Sequence, residues 1–308
     1  MSLSELGLLD YQSTTLNIDG DLIVYQTCCI FNEDDDLSRR QIIKYINKKI
    51  DNLMRSADCD TYIMFVTTNT NFRDDLVDDY KANRDPDDRP VNLTWAKRWC
   101  TENLNTHYHK KLEADDLLGI YMNANSVLWS LDKDLRQIPG MHLDDASQQV
   151  VEISEEGILR VDEKISASGK TSKKVYFDGT IGFYYQLLIG DDTDYIIGCG
   201  IRTPAVYKSG ANIGKAYIKR KGVGPLAAVK IITLAAMQRC EQTVLEAALD
   251  SVIVEYKKLH GKTWQEHLET QANLLFMVRE LDGEKIKRWT FDGRDEYFDL
   301  IEGVIIND

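Results

Sequence analysis

Short apolar runs of strand length alternate along this chain with longer segments in which apolar residues return every three or four positions. TTLNID (14–19) is a β-prone run, and DLIVYQTCCIF behind it has helical spacing. A second helical pattern, from about Ser38 to Ala57, leads into the strand TYIMFVTT (61–68). KLEADDLLGIYMNA is the next helix, with Leu117, Ile120 and Tyr121 at helical spacing, and SVLWSLD (126–132) the next strand. Such alternation predicts an α/β fold with a largely parallel central sheet flanked by helices. Between 150 and 178 the pattern changes to two or three short strands, VVEIS, ILRVDEKI and KVYF. With turns at Glu156-Gly157 and Ser168-Gly169, these predict an antiparallel edge. From about Phe183 the periodicity is helical, through LAAVKIITLAAM, TVLEAALDSVIVEYKKL and TWQEHLETQANLLFMV.

Residues 70–100 break the alternation. They are polar, charged and proline-bearing around FRDDLVDDYKANRDPDDRP, which predicts an excursion out of the core. No stretch reaches the roughly eighteen apolar residues of a membrane span, and no basic-then-apolar signal opens the sequence. The six cysteines form no CxxC pair or zinc spacing, so they read as reduced thiols of a cytoplasmic protein. His107 and His109, without a second ligand pair, read as surface histidines.

Charge changes the picture through its distribution. The net charge of −13 argues at first against a nucleic-acid partner. Yet Tyr195 to Cys240 contains no Asp or Glu, while it carries Arg202, Lys208, Lys215, Lys219, Arg220, Lys221, Lys230 and Arg239. A solvated face mixes both signs; an acid-free basic stretch in an acidic chain has the character of a phosphate-binding surface.

The acidic residues are clustered too. Asp19 and Asp21 end the first strand, and Glu113, Asp115 and Asp116 open a helix. Asp132 and Asp134 end the strand SVLWSLDKD, and Asp191, Asp192 and Asp194 lie in IGDDTD. Any one cluster is accounted for as a helix cap or an Asx turn. Glu113 and Asp116, however, lie three residues apart on the face shared with Leu117 and Ile120, the face that should be buried. In parallel α/β sheets functional groups gather outside the carboxyl ends of the strands. Four clusters brought there, with too few basic residues nearby to neutralise them, demand a cation. Oxygen-only ligands suit Mg²⁺ or Mn²⁺. Beside a phosphate-binding surface, such a site points to two-metal phosphodiester hydrolysis, for which seven or eight acids is a sensible inventory.

FR…YKANR (72–84), EADD (113–116), a strand ending in DKD (132–134), GDDTD (190–194) and the glycine loop KGVGPLAA (221–228) occur in that order. Over about residues 14–240 this set resembles the 5′→3′ exonuclease and flap endonuclease family, most closely the replication exonucleases of tailed bacteriophages. The resemblance implies a PIN-like metallonuclease core over residues 1–190 with a helical arch at 70–100. It also implies a helix–turn–helix-type DNA-binding and helical region over 191–308. It assigns Asp19, Glu113, Asp115, Asp116, Asp132, Asp134, Asp191 and Asp194 to two Mg²⁺ or Mn²⁺ ions, and Lys81 and Arg84 to the scissile phosphate. Arg73, Tyr80 (stacking on a frayed base), Lys219, Arg220, Lys221, Gly222 and Gly224 become DNA contacts, with K⁺ at the glycine hairpin. The expected partner is double-stranded DNA with 5′ ends, nicks or flaps, bound by a monomer in phage replication or recombination. A PIN-type ribonuclease and a non-catalytic DNA-structure-binding protein are the alternatives. Two departures stand out. Thr68 occupies the place of an aspartate ending the second strand, and the stretch Ile201 to Arg220 separates IIGCG from KGVG, where many relatives run on directly.

Overall fold

The computed structural model describes residues 14–299 apart from 69, 166–168, 170, 207 and 210–212. Its centre is a six-stranded sheet of β1 (Thr15–Asp19), β2 (Thr61–Phe65), β3 (Thr106–His107), β4 (Ser126–Trp129), β5 (Gly140–Asp144) and β6 (Gln149–Ile153). The order is β3-β2-β1-β4-β5-β6, parallel throughout except where β6 runs antiparallel to β5. The alternation of a strand sorts its side chains between two cores. Leu16, Ile18, Met64, Val127 and Trp129 join Ile42, Ile46 and Leu53 of α2 (Asp36–Ala57) and Cys28 of α1 (Gly20–Ile30). Cys100 of α3 (Leu93–Asn103) completes that layer. Phe65 and Leu128 point the other way, against Leu117 and Leu118 of α4 (Ala114–Ile120) and the later residues Met277, Val278 and Ile286.

A separate hairpin, β7 (Leu159–Ile165) with β8 (Thr171–Phe177), leads to α5 (Gly179–Ile189). A third core, beginning at Phe177, joins α5 to α6 (Pro225–Gln238), α7 (Val244–His260) and α8 (Trp264–Leu275). Helix α5, on the N-terminal side of the expected boundary at 190, therefore packs with the C-terminal helices.

Two expectations are corrected. The region after Phe183 is not helical throughout: β9 (Gly200–Val206) and β10 (Ala216–Gly222) form an antiparallel ribbon. Three short strands, β11 (Leu281–Asp282), β12 (Lys285–Lys287) and β13 (Tyr297–Asp299), form a small sheet. Of the arch expected at 70–100 only the stretch from Leu93 onward, the start of α3, is α-helical; residues 70–92 are not. They hold only two 3₁₀ turns, Phe72–Asp75 and Pro86–Asp88, before α3 begins. Asp, Asn and two prolines in this stretch favour turns over continuous helix.

Candidate active site

The carboxyl edge of the sheet gathers most of the expected acids. Asp19, the last residue of β1, caps α1 by accepting the Leu22 N–H at 3.0 Å. Its other oxygen accepts the Ser130 hydroxyl at 2.6 Å. Ser130 Oγ in turn accepts the Asp132 N–H at 2.9 Å, and Asp132 accepts the Asp134 N–H at 2.9 Å. Backbone donors and one hydroxyl thus tie the ends of β1 and β4 together. The sequence reading passed over Ser130; its only signal was its place between a strand and an acidic pair.

Asp115 lies in the first turn of α4, close enough to Asp19 and Asp132 for all three to interact. Burial, with mutual repulsion, pushes Asp19 up to about 7 and Asp115 well above the carboxylate range. Asp132 is raised for the same first reason. Among the described residues no basic side chain forms an ion pair with any of the three.

A second group surrounds Asp134, which accepts Gln186 Nε2 of α5 at 2.7 Å. Burial and a hydrogen bond shared with Asp191 raise Asp134 to about 9. Burial opposes the charge of Asp191 too, yet the Asp134 contact and Lys133 hold it below the ordinary range. Lys133 Nζ lies 3.6 Å from Asp134 and 3.9 Å from Asp191. The turn carrying Asp191 is closed by paired backbone bonds with Ile196.

Glu113 and Asp194 have basic partners. Lys81 Nζ bonds Glu113 and lies 3.5 Å from Asp194, while Arg84 pairs with Asp194. Burial opposes the charges on both Lys81 and Glu113, but their attraction wins, raising Lys81 and lowering Glu113. Lys81 has φ +55 and donates its N–H to the Asp194 carbonyl at 3.0 Å; Asn83 Nδ2 donates to the Asp192 carbonyl at 2.8 Å. The basic segment is therefore docked on the acidic turn. The expectation of too few local cations is corrected: long-range folding brings in Lys81 and Arg84, and Lys133 lies between Asp132 and Asp134 in the sequence itself.

Asp116 leaves the expected ligand set. It is fully buried, accepts Arg73 through both oxygens, and also accepts the N–H groups of Glu113 and Val278. Arg73, expected at DNA, is correspondingly buried and donates further to the carbonyls of Leu274 and Phe276 at 2.9 Å each. Tyr80, expected to stack on a base, packs against the helical core and donates its hydroxyl to Glu113 at 2.8 Å. Of the two histidines expected at the surface, only His107 keeps partial exposure. His109 is buried and its Nδ1 accepts the Lys111 N–H, and His107 sets its ring edge-on to Phe65 and Tyr121.

At the end of β2, the Thr68 hydroxyl donates to the His109 carbonyl at 3.1 Å. The charged feature there is Lys97 of α3, paired with Asp21 at 2.6 Å and bonded to the Thr67 carbonyl at 3.0 Å. The sequence carried no signal for this pair.

In the glycine loop, Gly224 caps α6 with Pro225 in its first turn, and nothing lies within 4 Å of where a Cβ would point. That leaves room for a backbone to approach the helix amides. Gly222 serves the fold: a Cβ there would meet the Cys199 carbonyl oxygen at 2.4 Å. Arg220, expected at DNA, is turned inward and donates to the carbonyls of Ile197, Val223 and Leu188. Lys219 and Lys221 are exposed.

The donor set of Asp19, Asp115, Asp132, Asp134 and Asp191 is all oxygen and, around Asp115, lacks a basic partner, which fits a hard divalent cation. Among the described residues no three such side chains form a finished cage around one point. All six cysteines are free thiols, and no helix among the described residues is long and apolar enough to cross a membrane.

Residues 14–165 match the model of a protein family described as the 5′-3′ exonuclease N-terminal resolvase-like domain. No curated protein sequence matches the chain. Among solved structures, the T5 D15 protein co-crystallised with metal ions is similar at a TM-score of 0.45 and 14% identity, over 85% of this chain and 97% of that one.

Proposed function

Because this chain belongs to the 5′-3′ exonuclease family through residues 14–165 and is a nuclease, we propose that it is a divalent-metal-dependent 5′→3′ exodeoxyribonuclease. The proposed substrate is double-stranded DNA at 5′ ends, nicks and flaps, and the proposed setting phage DNA replication or recombination. The observation that carries the metal-dependent reading is the crowded trio Asp19, Asp115 and Asp132, which among the described residues repel one another without an ion-pair partner, beside the docked Lys81 and Arg84. Asp19, Asp115, Asp132, Asp134 and Asp191 are the residues that would hold two Mg²⁺ or Mn²⁺ ions. When bound, such ions lower the pKa of a water and stabilise negative charge on phosphoryl oxygens.

The remaining work falls to the chain's own groups. Lys81 and Arg84 offer fixed positive charge to the scissile phosphate, where charge builds in the transition state. Glu113 and Asp194 hold those side chains in place, and the Tyr80 hydroxyl orients Glu113. The amides at the start of α6 and the exposed Lys219 and Lys221 bind the DNA backbone without reading bases.

A 5′-labelled duplex incubated with the protein is expected to be shortened from its 5′ end in Mg²⁺ and to survive intact in EDTA. Survival of blunt, nicked and flapped DNA in Mg²⁺ would overturn the reading, and cleavage of RNA alone would replace it with a ribonuclease.

A further inference from the structure

Within the stretch Ile201 to Arg220, an insertion relative to the family pattern, β9 and β10 form a ribbon whose two faces do different things. Its register sets Arg202 opposite Arg220, Ile201 opposite Lys221, and Thr203 opposite Lys219. Directly opposed residues share a face and neighbours along a strand alternate, so the two arginines lie on one side and the two lysines on the other. The arginine side faces the protein. Arg220 grips three backbone carbonyls, as described above. Arg202 pairs with Asp79 at 2.9 Å, donates to the Tyr195 carbonyl, and lies 3.5 Å from the centroid of the Tyr195 ring. The lysine side, Lys219 and Lys221 with Ile201 and Thr203, is exposed.

Asp79 stands two residues before Lys81, and Tyr195 directly follows Asp194, the partner of both Lys81 and Arg84. Both Lys81 (φ +55) and Tyr195 (φ +59) hold a left-handed backbone that non-glycine residues rarely adopt. Such conformations persist only where surrounding contacts over-determine them. Arg202 is one such contact for both segments.

Resting on the 5′-nuclease reading, we propose that Arg202 is a positioning residue through which duplex bound on the lysine face of the ribbon steadies residues 79–84. Arg202 does not touch the reacting phosphate; it keeps Lys81 where that phosphate arrives. DNA contact on the insert and alignment of the catalytic lysine are thereby one event.

Arg202→Ala is expected to lower kcat on a 5′-labelled duplex by roughly tenfold to a hundredfold, as small misplacements of catalytic groups do, with KM within about twofold. Lys219→Ala with Lys221→Ala is expected to raise KM. The Arg202→Ala/Asp79→Ala double variant should be no worse than the worse single one, and the swapped pair Arg202→Asp/Asp79→Arg should recover part of the rate. A second readout needs no cleavage: amide hydrogen exchange in residues 79–84, measured in EDTA, should slow when duplex is added to the parent protein and not to Arg202→Ala. A rise in KM alone, additive loss in the double variant, or equal protection in both proteins would overturn the proposal. An uncut duplex with the parent protein in Mg²⁺ would instead overturn the nuclease reading, with the exchange result still deciding the role of Arg202.

Discussion

Arg73 and Asp116 meet as a buried two-point ion pair, Nη1 to Oδ2 at 2.7 Å and Nη2 to Oδ1 at 2.8 Å, with both side chains almost wholly out of solvent. Burial opposes the guanidinium charge, and Asp116 overrides it, holding Arg73 protonated. Removing one partner of such a pair leaves an uncompensated buried charge. Asp116→Asn is therefore expected to cost about 3–5 kcal/mol of stability, read from denaturant midpoints. Unchanged stability with lost cleavage would return Asp116 to the metal ligands.

Asp132 sits at the opposite extreme, raised by burial and crowded by other acids. Asp132→Ala is expected to abolish cleavage while DNA binding, measured by fluorescence anisotropy in EDTA, stays largely intact. An active variant would exclude Asp132 from the site.

Lys81 is paired with Glu113 in the docked segment. Lys81→Ala is expected to reduce kcat by about 10²–10³-fold, the scale for losing one charge-stabilising group in a water-excluded site. Lys81→Arg should restore part of the rate. A kcat within a few fold of the parent's would move the phosphate contact elsewhere.

Divalent-metal affinity should rise with pH. Asp19, raised by burial to about 7, and Asp134, raised by burial to about 9, carry protons that a cation must displace. Increasing pH through these values removes the competing protons, so apparent Mg²⁺ affinity climbs between pH 6 and pH 9. Calorimetry in buffers of different ionisation enthalpy should register proton release. Affinity that stays flat, with no protons released, would contradict it.

His142 provides a separate pH signature. Its ring hydrogen-bonds the Ile138 carbonyl at 2.8 Å, and burial lowers its pKa from 6.5 to about 4. The unfolded chain then binds the extra proton between these values, so stability is full above about 6.5 and falls as pH drops toward 4. The loss amounts to about 3 kcal/mol. His142→Gln should flatten that segment of the stability-pH curve; an unchanged slope would assign it to other groups.

How far the site could be read depended on whether a residue's partner was local. The gathering of Asp19, Asp132 and Asp134 at one edge of the sheet was legible because each stands at or just beyond the end of a strand with plain apolar patterning, and strand ends in a parallel sheet converge. Arg73 and Tyr80 were misplaced because their partners, Asp116 and Glu113, lie more than thirty residues away, and a basic or aromatic residue in a polar stretch looks the same whether it faces DNA or the core. Arg220 misled similarly, since its neighbours Lys219 and Lys221 point outward while strand alternation turns it in.

The pattern of apolar positions by itself determined the parallel sheet, its flanking helices and the edge at which the acids collect, since strand and helix periodicities are local and burying apolar surface leaves few ways to stack them. Only the tertiary structure decided which carboxylates are neutralised by a cation of the chain and which are left crowded together. Charge pairing in a buried site depends on distances of a few ångströms between residues far apart in sequence, and no local period records them.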